Sequence, residues 1–131
     1  GAMASLARIL VVEDNDDIRE SVVGLLREQG YEVIEAENGE RGLELLRSTR
    51  DVDLVVLDLR MPVMNGATFC WQQRSDKAIA SIPVLILSSV VDGRKSAELL
   101  GAAAHLLKPF EPAALLEAVE RAASTRKKPK R

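Results

Sequence analysis

The sequence predicts an α/β protein built on a doubly wound parallel sheet. Two observations carry that expectation. Five short apolar runs alternate with stretches whose apolar residues recur at helical spacing, the pattern of strand and crossover helix. Four of the runs stop abruptly on a polar group: Glu13-Asp14, Asp58, Ser88-Ser89 and Lys108. Open parallel sheets gather their ligands at the carboxyl ends of their strands.

Arg8–Val12 is the first run. Asn15 or Asp16 then caps a helix, because a short side-chain oxygen accepts a free first-turn amide. Ile18, Val22, Leu25 and Leu26 form its apolar face, and Gly30 closes it. Tyr31–Ala36 alternates and reads as a more exposed strand near a sheet edge. Asn38-Gly39 reads as a turn, and Leu43, Leu45 and Leu46 mark a second helix. Asp53–Leu57 is an unbroken branched run, the mark of a strand buried on both faces. Asn65-Gly66 opens a third helix, with Phe69 and Trp71 as packing or surface anchors and Cys70 as a small buried hydrophobe. Pro83–Leu87 is a fourth buried strand. Asp92 caps a short helix that Gly101 closes, and Ala103–Leu107 is a fifth strand leading into Lys108-Pro109-Phe110. Pro112 suits the first turn of a final helix, with Leu115, Leu116, Val119 and Ala122 or Ala123 inward.

Right-handed crossovers leave few topologies for these elements. The simplest is the flavodoxin-like (βα)5 sandwich of strand order 2-1-3-4-5, whose switch point lies between strands 1 and 3. That order sets Glu13-Asp14 beside Asp58.

Composition narrows the class. At 131 residues the chain makes one domain. No run approaches the ~18 apolar residues needed to span a bilayer, and no secretory pattern is present, so a cytoplasmic protein without a membrane partner is expected. The single Cys70 excludes an internal disulfide, and together with the single His105 it is too little for a structural zinc site. Gly39-Glu40-Arg41-Gly42 lacks the lysine and glycine spacing of a phosphate loop. The formal charge of −2 hides an asymmetry: five positive charges fall in the last six residues, which leaves −7 on residues 1–125. Gly1-Ala2-Met3 looks like a cloning remnant. The expected organisation is an N-terminal arm over 1–5, a folded domain over 6–124, and a basic tail or linker stub over 125–131. Nucleic acid is expected as a partner only through that tail or through an output domain outside this chain.

In this topology the carboxyl edge of the sheet gathers Glu13, Asp14, Asp58, Ser88 and Lys108. Three carboxylates in one pocket repel each other unless a cation is present, and hard oxygen ligands suit Mg²⁺ or Mn²⁺. Such an ion also neutralises an incoming phosphoryl group. Asp58 can then attack phosphorus as a carboxylate nucleophile, while Lys108 holds a phosphoryl oxygen as a compact point charge and the Ser88 hydroxyl donates to another.

These residues resemble the receiver domains of two-component response regulators. The resemblance rests on Val11-Val12-Glu13-Asp14, on Leu57-Asp58-Leu59-Arg60-Met61-Pro62 with Asn65-Gly66, on Leu87-Ser88-Ser89 and on Lys108-Pro109-Phe110, in register over roughly residues 8–123. It implies that Asp58 is the phosphoacceptor and that Glu13, Asp14, Asp58 and the backbone carbonyl of Arg60 hold the metal. It also implies that Ser88 is the hydroxyl that moves toward the phosphoryl group, that Lys108 is the family's pocket lysine, and that the Lys108-Pro109 bond is cis. The implied donor is a sensor histidine kinase or a histidine phosphotransfer protein. Such a domain assists its own phosphorylation and dephosphorylation but is not an enzyme on outside substrates. Its output face is the Asp92 helix, the fifth strand and the last helix, and its downstream target or attached output domain is unspecified.

The pattern departs from the family in two places. His105 stands where similar receivers carry Tyr or Phe, so it is either a titratable switch residue or an exposed residue with no such role. The stretch from Ser88 to Lys108 is about two residues shorter than in common receivers. Arg60, Ser89 and Val90 flank the phosphoryl pocket, and apolar Val90 cannot position a water, which predicts slow self-dephosphorylation. Two alternatives differ in class: a phosphorylation-independent pseudo-receiver acting as an interaction module, and a small Mg²⁺ phosphohydrolase, which would need a second acid near Asp58 where the chain offers Arg60.

Overall fold

The computed structural model describes residues 7–59, 64–89 and 100–125. Five parallel strands, β1 (Arg8–Val12), β2 (Glu32–Ala36), β3 (Leu54–Asp58), β4 (Val84–Ser88) and β5 (Ala104–Leu107), form one sheet in the order β2-β1-β3-β4-β5. Four helices stand among the described residues: α1 (Asp16–Glu28), α2 (Gly39–Ser48), α3 (Gly66–Arg74) and a C-terminal α4 (Pro112–Ala123). The sandwich and strand order match the sequence expectation. The Asp92 helix, with Arg60 and Val90, lies outside the described residues.

Alternation along each strand divides the core between the two faces of the sheet. Leu10, Val12, Val55, Leu57 and Ile86 pack with Leu43, Leu46 and Phe69 on one side. Ile9, Val11, Val56, Leu85 and Leu87 pack with Val22, Leu26, Leu115 and Val119 on the other. Each such fully buried side chain contributes ~1.5–3 kcal/mol. β1, β3 and β4 are covered on both faces, which is why they read as unbroken apolar runs.

Each of the first three helices is capped by an asparagine. Asn15, Asn38 and Asn65 accept the amides of Ile18, Arg41 and Thr68 at 2.9, 2.8 and 2.9 Å. Asn38-Gly39, expected as a turn before the second helix, is therefore the start of α2 itself. The short polar side chain that favours turns also satisfies a first-turn amide.

Several strand bounds shift by one residue from the expected ranges. The Tyr31 amide donates back to Leu26 of α1 and so leaves β2 to begin at Glu32. Pro83 has no amide to give the ladder, so β4 begins at Val84 and carries Ser88 as its last residue. β3 likewise runs through Asp58, and Leu59 still donates to Leu87 at 2.9 Å. Phe69 and Cys70 are buried as expected, whereas Trp71 is 72% exposed.

Candidate functional site

The chain crosses the carboxyl edge of the sheet at adjacent strand ends. Val12 pairs with Leu57 and Asp58 with Leu87, so Glu13, Asp58 and Ser88 follow one another across β1, β3 and β4. All three are buried. Asp14, one residue beyond Glu13, is exposed. One carboxylate oxygen from each of Glu13, Asp14 and Asp58 lies within 4.8 Å of the others. The loop after Asp58 turns back tightly: a Cβ on Gly66 would meet the Leu59 Cα at 2.9 Å, so only glycine fits that approach.

Lys108 enters from the end of β5. Its amide donates to the Ser88 carbonyl at 2.7 Å, and the following bond to Pro109 is cis. The Nζ ammonium donates to Glu13 Oε1 at 2.7 Å and to Asp58 Oδ1 at 3.3 Å. Glu13 Oε2 accepts the Asn15 amide at 3.3 Å.

The electrostatics follow from burial and crowding. Burial first, then the bond and charge of Glu13, push the Asp58 carboxyl up to about 7, against the opposing pull of Lys108. Burial works against the Lys108 charge, but Glu13 and Asp58 together hold that ammonium above its ordinary value. A pocket with three carboxylates and one ammonium retains negative charge. Its donors are all carboxylate oxygens, and the exposed Asp14 leaves one side open to water, a set that fits Mg²⁺ or Mn²⁺.

Other expected residues are nearby. Ser89 follows Ser88 at the exposed rim. His105 pairs with Ile86 on β4, which places it on the same sheet face as Ser88, two residues along. It is half-buried rather than exposed. Arg19 gave no sequence signal, yet its guanidinium donates to the Glu13 carbonyl at 2.8 Å. Beside Lys108, a mostly apolar groove of about 420 Å³ opens between α1 and the loop after β5, lined by Ile18, Ser21, Leu25, Pro109 and Phe110.

Comparison with known proteins gives a consistent result. A family model described as the response regulator receiver domain matches residues 9–120. The chain is 38% identical over 118 residues to the transcriptional regulatory protein PdtaR of Mycobacterium tuberculosis, a match covering 89% of this chain and 57% of PdtaR. It is 32% identical over 118 residues to chemotaxis protein CheY1 of Helicobacter pylori, covering 86% of this chain and 94% of CheY1. The structure of the chemotaxis response regulator CheY4 of Vibrio cholerae superposes with a TM-score of 0.83 at 32% identity, covering 89% of this chain and 98% of that one. The chain spans about half the length of the transcriptional regulators it matches.

Proposed function

The chain belongs to the response regulator receiver domain family of two-component signalling, and on that premise we propose that it is a Mg²⁺- or Mn²⁺-dependent phosphoacceptor switch whose acceptor is Asp58. One observation carries the reading: three carboxylates meet within 4.8 Å at adjacent strand ends, with the Lys108 ammonium among them. The receiver is residues 6–124, followed by a basic tail over 125–131.

Glu13, Asp14 and Asp58 would hold the cation, together with the backbone carbonyl of Arg60 that the family resemblance implies. When bound, the cation offsets the repulsion among the carboxylates and the charge of the incoming phosphoryl group. A carboxylate oxygen of Asp58 attacks phosphorus, and the P–N bond of a donor phosphohistidine breaks. The imidazole leaves with the bonding pair and takes a proton from water, and the product is an acyl phosphate on Asp58. Lys108 holds one phosphoryl oxygen as a point charge, and the Ser88 hydroxyl donates to a second. The charge gained at Asp58 biases Ser88, His105 and the face formed by β5 and α4. Ser89 stands at the rim of the pocket, and Arg60 and Val90, assigned from the sequence alone, set the lifetime of the acyl phosphate with it.

The donor is a sensor histidine kinase or a histidine phosphotransfer protein in the cytoplasm. Among the described residues no helix is long and apolar enough to cross a membrane. The output is an attached domain or a separate target.

The test is intact-mass spectrometry after incubation with acetyl phosphate and Mg²⁺, beside Asp58→Asn. The expected result is one adduct of ~80 Da that requires Mg²⁺ and is absent from the variant. No adduct, together with no Mg²⁺ binding, would replace this reading with the phosphorylation-independent interaction module.

A further inference from the structure

Arg19 reaches from α1 back to the end of β1. Its Nη1 donates to the Glu13 carbonyl at 2.8 Å, its Nη2 to Asp16 Oδ1 at 2.7 Å and its Nε to Glu35 Oε1 on β2 at 3.2 Å. The side chain is only 16% exposed. One guanidinium therefore ties together α1, the edge strand and the turn that carries the acidic pair.

The Glu13 carbonyl lies at a broken rung of the ladder. The Glu13 amide donates to Ala36 at 3.1 Å. In a parallel ladder the carbonyl of the same residue would accept the amide two positions further along the neighbouring strand. β2 ends at Ala36, and Asn38 at that position caps α2 instead. Arg19 supplies a donor to that carbonyl and so fixes the plane of the Glu13–Asp14 peptide. The Glu13 side chain is also held by Lys108 and the Asn15 amide. Asp14, exposed, follows directly on the peptide whose carbonyl Arg19 holds.

Charge fits the same role. A free cation this close would compete for the carboxylates, but Asp16 and Glu35 pair with the guanidinium. What reaches the Glu13 carbonyl is a largely neutralised donor in a rigid fork.

We propose that Arg19 is a positioning residue for the divalent-cation site, acting through the Glu13 carbonyl to aim Asp14. This rests on the reading of Glu13, Asp14 and Asp58 as the cation site. The test titrates Mg²⁺ by calorimetry into the full chain and into Arg19→Gln, Arg19→Lys and Glu35→Gln, well below each melting temperature. Arg19→Gln is expected to bind Mg²⁺ about tenfold more weakly, Arg19→Lys to recover part of the loss at about threefold, and Glu35→Gln to stay within about twofold. Glu35→Gln takes the charge out of the tie between α1 and β2, weakening it, but leaves the bond to Glu13, so it reports a purely structural role. Arg19→Gln with wild-type affinity, or a Glu35→Gln loss equal to that of Arg19→Gln, overturns the proposal. If Arg19→Gln does not fold, Arg19→Lys decides, and wild-type affinity there overturns it. A wild-type chain that fails to bind Mg²⁺ at all overturns the cation-site reading itself, a result separate from any difference among the variants.

Discussion

Asp58 sits between opposing influences, since burial and Glu13 favour its neutral form while Lys108 favours its charge. The balance leaves its carboxyl near 7, well above the ~3.9 of an unfolded aspartate. A group whose folded value is raised adds stability that is complete below its unfolded value and is lost as pH rises through the folded one. For Asp58 that window runs from about 4 to about 7. In metal-free solution Asp58→Asn, which does not titrate, is therefore expected to exceed the wild type in stability at pH 8 by ~1–3 kcal/mol, and by much less at pH 5. Urea unfolding in chelator at both pH values checks this. An equal difference at the two would show that Asp58 titration is not the source. Under the proposed cation site, Mg²⁺ is expected to close the gap at pH 8, because it would bind the charged form of the carboxylate. The types and order of Glu13, Asp58, Ser88 and Lys108 were legible in the sequence because each ends an apolar run. The Arg19 contact was not, since a guanidinium-to-carbonyl bond leaves no pattern in residue types.

Elements were legible where periodicity and caps agreed, as in α1 with Asn15 before it and Ile18, Val22 and Leu26 along one face. The one-residue slips at β2, β3 and β4 arise because strand membership depends on pairing with a distant neighbour. Gln73 shows the same limit. Its Nε2 donates to the carbonyls of Ile79 and Ile82, each at 2.9 Å, holding the connection into β4 from a buried position, yet nothing around Gln73 in the sequence marks it as core. Gly42 is another case, and it yields a prediction whose sign helix propensity gets wrong. Replacing a mid-helix glycine by alanine ordinarily stabilises by up to ~1 kcal/mol. Here a Cβ would meet Val12 Cγ2 at 2.8 Å and Phe69 Cε2 at 3.1 Å, both in the packed core beneath α2. Overpacking of that kind costs ~1–3 kcal/mol, so Gly42→Ala is expected to lower stability. A denaturation midpoint equal to or above that of the wild type would mean that α2 shifts away from β1 without penalty.

At the scale of the molecule, the sheet edge and the groove beside it would, under the proposed function, set two different demands on a phosphodonor. A small donor has only to reach Asp58 past the exposed Asp14. A protein donor must bring a phosphohistidine to the same carboxylate while resting on the surrounding surface, and the apolar groove between α1 and the Lys108–Phe110 loop is contiguous with Lys108. Burial of apolar surface at such a groove gives a protein partner binding energy that acetyl phosphate has no means to use. Ser21 lines this groove from an exposed position and is not part of the core, so Ser21→Trp fills the groove without disturbing the carboxylates. Labelling by acetyl phosphate is then expected to stay within about twofold of the wild type, while transfer from any phosphohistidine protein that charges the wild type falls by about tenfold or more, the ~1.4 kcal/mol that one lost anchor contact represents. Parallel time courses with the two donors separate the cases. Equal losses with both would mean that the substitution reaches the acceptor chemistry itself. No loss with either would move the docking surface away from α1, to another part of the rim around Asp58.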